Sequence, residues 1–99
     1  MNNPIATLSL ARKAGKLSIG YTATKNSLLQ KQASLIVVTS DISNGTLKKI
    51  KTYASGVSIV EIPFTQDDIE AVLHRRFAVA AITDTNFREL LLKALEEDL

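Results

Sequence analysis

An α/β fold with helices on both faces of a central sheet is predicted for this chain by two observations. The run "LIVVT" (35–39) is continuous, apolar and β-branched with no polar face, as a strand covered on both sides must be, and "VSIVEI" (57–62) and "FAVAAIT" (77–83) read as further strands. These runs alternate with stretches of about ten residues that carry helical apolar spacing and capping residues. Ninety-nine residues, 45% hydrophobic and 22% charged, suit a single domain over 1–99 with one core.

The elements follow in order. Asn2 or Asn3 caps a first helix, Pro4 occupies its opening position, and Gly15 stops it. "KLSI" (16–19) can add a fourth strand. A second helix is predicted over Tyr21–Lys31, with Thr24 and Leu28 one turn apart on its inward side. After the central strand, Ser43 or Asn44 caps a third helix. Leu47, Ile50 and Ala54 share its buried face, Lys48, Lys49 and Lys51 point outward, and Gly56 ends it. Beyond Pro63, Thr65 begins a fourth helix whose first-turn acids, Asp67 and Asp68, suit the helix dipole and whose buried stripe is Ile69, Val72 and Leu73. Asp84 or Thr85 caps the last helix, with Phe87, Leu90, Leu91 and Ala94 at i, i+3, i+4 and i+7.

Several function classes find no support. There is no cysteine, so neither a disulfide framework nor a thiolate metal site can form. The opening "MNNPIATLSLARKAGK" has no charged start and no long apolar run, and no stretch approaches the ~20 apolar residues of a membrane span. A cytoplasmic, membrane-free protein is expected. His74 is the only histidine and lacks the carboxylate neighbours of a metal site. Ser40 and Asp41 follow a strand, but no base accompanies them, so no catalytic set, metal or cofactor is expected.

The net charge of +2 conceals an asymmetry. Residues 1–51 hold eight cations against one acid, Asp41, a net of +7; residues 52–99 hold four cations against nine acids, a net of −5. A chain polarised in this way favours one docking orientation on a polyanion such as nucleic acid. Within the acidic half, "LHRRFAV" sets His74, Arg75 and Arg76 as a basic spot between a helix and a strand. Complementing the helix dipole explains one or both arginines; a contact with an anion is the other reading.

The stretch "GKLSIGYTATKNSLL" (15–29) spaces Gly15 and Gly20 as in a nucleotide-gripping loop. The lysine and hydroxyl that should follow the second glycine are Tyr21 and Thr22 here, and the loop follows a helix, so an NTPase is not supported. What remains is an anion-receptive helix start, with the amides of Tyr21, Thr22 and Ala23 and the nearby Lys16 and Lys25.

Order, length and the phrases "LARKAGKLSIG", "LIVVTSDIS", "KKI" and "AVAAITDTNF" resemble the kink-turn RNA-binding ribosomal proteins of the L-seven-Ae family, in particular its bacterial YlxQ branch. The resemblance runs from Leu8 to Leu91. It implies a three-layer α/β/α sandwich with a mixed four-stranded sheet, and a partner that is rRNA or another structured RNA, with the ribosome as its setting. In that family RNA is held by the start of the second helix and by the loop before the last strand. Carried onto this chain, the first element begins at Gly20 and includes Tyr21, Thr22, Ala23 and Asn26; the second is the Leu73–Arg76 turn.

Together these readings make Gly20, Tyr21, Thr22, Lys25, Asn26, His74, Arg75 and Arg76 the expected RNA edge, with Arg12 and Lys16 as phosphate contacts. The chain departs from the family's pattern within that edge. RNA-binding members commonly show Gly-Thr-Asn-Glu with a lysine three residues on; here Gly20-Tyr21-Thr22-Ala23 is followed by Asn26, and Lys25 sits one position early. A hydroxyl, a methyl and a neutral amide thus stand in for an amide, a carboxylate and an ammonium. Each lost base contact costs ~1–3 kcal/mol of discrimination, while stacking of Tyr21 on an unpaired base could restore a comparable ~1–3 kcal/mol. The alternative is a protein-interaction module of the same fold that has given up specific RNA readout.

Overall fold

The computed structural model describes residues 3–97. Asn3 caps helix α1 (Pro4–Lys13), its carboxamide oxygen accepting from the Ile5 N–H at 3.0 Å; the alternative cap, Asn2, lies outside the described residues. Residues 17–19 form strand β1 (Leu17–Ile19), so "KLSIG" is not a phosphate loop: the two glycines bracket a strand. Helix α2 (Tyr21–Leu29) ends two residues short of expectation, because Lys31 adopts a left-handed conformation, φ 57°. Strand β2 (Leu35–Val38) follows, and Ser43 caps α3 (Asn44–Tyr53), with the predicted lysines exposed.

Strand β3 (Ile59–Glu61) leads to α4 (Gln66–Leu73), where Thr65 and Asp68 form a capping box: Thr65 Oγ1 accepts from the Asp68 N–H and Asp68 Oδ2 from the Thr65 N–H. Strand β4 (Val79–Ile82) and helix α5 (Thr85–Glu97) complete the fold. Asp84 caps α5 through the Phe87 N–H at 3.0 Å.

The sheet order is β1-β4-β2-β3; β2 and β3 are parallel, and β4 is antiparallel to both β1 and β2. β2 and β4, the interior strands, are buried throughout. Their alternation supplies two cores. Leu35, Val37, Ala80 and Ile82 face Leu8 of α1, Ile69 and Leu73 of α4, and Leu91 of α5. Ile36, Val38 and Val79 face Leu28 of α2 and Ile50 of α3. The result is a three-layer α/β/α sandwich around a mixed four-stranded sheet. Burying a side chain such as Leu35 or Ile36 contributes about 1.5–3 kcal/mol, which is what fixes the register against a one-residue slip.

Small residues set the approach of α2 to the sheet. Ser18 and Ser27 share a hydroxyl hydrogen bond of 2.7 Å, and Thr24 is fully buried with Leu28, as predicted. Two stripe positions are corrected. Val72 is 46% exposed and Leu90 41% exposed, because α4 packs through Ile69 and Leu73 alone and α5 turns Leu91, Ala94 and the half-buried Leu92 and Leu95 inward instead.

Candidate nucleic-acid interface

The turn into α2 is built around Gly20. Its N–H donates to the Val79 carbonyl at 2.9 Å, extending the β1–β4 ladder by one residue, and its φ of 95° then swings the chain into the helix. The Gly20 carbonyl accepts from the Thr24 N–H at 3.0 Å. Having no side chain, Gly20 makes no side-chain cap, so the amides of Tyr21, Thr22 and Ala23 are left to solvent or ligand at the positive end of the helix dipole. Thr22 and Asn26, one turn apart, are both exposed. Tyr21 is half-buried against the α2–α3 core, so packing takes part of the ring that stacking would need. The Lys25 ammonium lies over the Tyr53 ring, 4.7 Å from its centroid, which holds the cation beside α3.

The second element is the turn after α4. His74 ends that helix in a left-handed conformation (φ 58°, ψ 24°), its N–H donating to the Glu70 carbonyl at 3.0 Å. His74, Arg75 and Arg76 are all exposed. Arg76 is not a free cation: its guanidinium bonds Asp67 and lies 3.6 Å from Glu70. The hydrogen bond that the guanidinium donates to Asp67, helped by the charges of Asp67, Glu70 and Asp41, raises its pKa above the ordinary value despite some desolvation. Among the described residues no carboxylate pairs with Arg75, which carries the turn's available charge.

Arg12, expected as a phosphate contact, also makes a contact within the chain. Its Nη1 donates to the Leu73 carbonyl, at the open C-terminal end of α4. A cation at that position satisfies an orphan carbonyl and complements the helix dipole, so Arg12 anchors the base of the 74–76 turn to α1.

The topology brings the two elements to one edge. β1 ends where β4 begins, and the Gly20–Val79 bond ties the α2 turn to the strand that the 74–76 turn feeds. The end of β2 joins them, since the Thr39 N–H donates to the Ala78 carbonyl at 3.0 Å. Asp41 also lies there, accepting from the Gln66 N–H at 3.1 Å. Desolvation raises its carboxyl, but hydrogen bonds from Thr39 and Gln66 outweigh it and leave the pKa below the ordinary value.

Lys16 is placed apart from this group. It stands at the opposite end of β1, where its carbonyl accepts from the Thr83 N–H, roughly 13 Å of strand away from Gly20. Lys48, Lys49 and Lys51 of α3 share the sheet face of α2, a basic surface that the motif reading left out of the site although their outward direction was legible. No group of three or more His, Cys, Asp or Glu among the described residues could hold a metal ion, and no helix among them is long and apolar enough to cross a membrane.

Comparison with known proteins adds to this geometry. No curated protein matches the chain. Among solved structures it is similar to one described as a protein with unknown function from Bacillus halodurans, with a TM-score of 0.83 and 18% identity, over 97% of this chain and 99% of that one. At that identity the likeness establishes the fold alone. The family model of the ribosomal protein L7Ae/L30e/S12e/Gadd45 family matches residues 5–91, which include both interior strands, the Gly20 turn and the 74–76 turn, and the chain therefore belongs to that family.

Proposed function

We propose that this chain is a noncatalytic, cytoplasmic, ribosome-associated protein that binds structured, kink-turn-like RNA along the edge formed by the Gly20 turn and the 74–76 turn. Membership of a ribosomal protein family implies RNA binding. The observation that carries the placement is the hydrogen bond from Gly20 N–H to Val79 C=O, which ties the Gly20 turn to the start of the strand that the 74–76 turn feeds. On this edge the first-turn amides of α2 receive base edges or a phosphate oxygen. Thr22 and Asn26 offer a hydroxyl and an amide to bases, and Lys25 and Arg75 neutralise phosphates. Arg12 and Arg76 shape the second turn by binding Leu73 and Asp67.

The test is charge reversal. Lys25→Glu combined with Arg75→Glu should abolish RNA binding in an anisotropy titration while the circular dichroism spectrum and melting temperature stay close to wild type, since neither side chain is buried. Wild-type affinity in the double variant would refute the placement.

A further inference from the structure

Strand β3 forms one edge of the sheet. The Ser58 carbonyl accepts from the Ile36 N–H and the Ile62 N–H donates to the Val38 carbonyl, both at 2.9 Å. By the alternation of a strand, the backbone N–H and C=O groups of Ile59 and Glu61 therefore point outward, away from β2. Along the same edge Val60 and Ile62 of the β3 segment and Leu92 and Leu95 of α5 line an apolar groove of about 660 Å³, whose charged residues, among those described, are Glu61 and Glu96, with no cation.

We propose that this edge binds an extended segment of a protein partner in which apolar and basic residues alternate, added as a fifth strand beside β3. Main-chain bonds to Ile59 and Glu61 would supply the pairing, and every second side chain would enter the groove against Val60, Leu92 and Leu95. Charge selects the occupant. Two carboxylates without a compensating cation favour lysine or arginine on the segment and repel an RNA backbone. They also disfavour a second copy of this chain, whose own β3 edge carries the same two carboxylates and would bring like charges together. The surface lies on the β3 edge, whereas β1, which leads into the Gly20 turn, forms the other, so the inference stands independently of RNA binding.

The test is an amide NMR titration of the RNA-free full chain with a heptapeptide of alternating valine and arginine, and with the same peptide carrying glutamate for arginine. The expected result is saturable binding of the arginine peptide alone, with the largest shifts and slowed hydrogen exchange at Ile59 and Glu61. Glu61→Lys with Glu96→Lys, both at exposed sites, should weaken it at least tenfold without loss of fold. Equal binding of the glutamate peptide, shifts confined to other surfaces, or no saturation up to about 1 mM would overturn the proposal. So would concentration-dependent protection of Ile59 and Glu61 without peptide, which would identify a second copy as the occupant.

Discussion

Gly20 adopts φ 95° and ψ 168°, a region essentially reserved for glycine, in open space where an added Cβ would meet nothing within 4 Å. Gly20→Ala should therefore cost about 1–3 kcal/mol through backbone strain rather than collision. A lowered melting temperature with native circular dichroism is the expected reading; an unchanged one would mean that the turn relaxes without cost. Asp41 gives a pH-dependent signature. Its folded-state pKa lies below the ordinary carboxylate value, so its contribution is fully present above that ordinary value and is lost as pH falls through the lowered one. The stability gap between wild type and Asp41→Asn in urea unfolding should narrow as pH drops from about 6 to about 3; a gap that stays constant would contradict the assignment. Glycine, caps and inward residues such as Thr24 and Leu28 were legible because their physics is local. The pairing of Arg76 with Asp67 was not, since it spans nine residues across a helix end whose direction only the fold determines.

The helices were legible as elements, and their errors have a common origin. Apolar residues at i and i+3 mark a stripe, yet a short helix touching its neighbours along a narrow line buries only part of it, which leaves Val72 and Leu90 outside. β1 has three residues and could be read only as an optional strand; its antiparallel pairing with β4, more than sixty residues away, is set by the closure of both cores. That strand also separates Lys16 from Gly20. At this scale Arg12 belongs to the joint between α1 and α4. Arg12→Ala should lower stability by about 0.5–1 kcal/mol, a charged hydrogen bond at a part-buried helix end, and hasten amide exchange at 74–76. Arg12→Ala that weakens RNA binding while leaving that exchange unaltered would instead return Arg12 to the phosphate contacts.

For the whole molecule, the alternation of strands with helices foretold the sandwich. The sequence could not show that the strand order brings the Gly20 and 74–76 turns to one end of adjacent strands, because strand order arises from non-local packing. On the proposed reading the chain keeps the family's frame at this edge with other side chains, so RNA affinity and RNA selectivity are tested separately. Both are read by fluorescence anisotropy against a labelled kink-turn hairpin and a straight duplex of equal length over a salt series. Phosphate contacts weaken with salt for either RNA, whereas base and shape contacts persist. Preference for the kinked RNA that survives at high salt is the predicted result; equal, salt-sensitive binding to both would contradict recognition by the Gly20 turn.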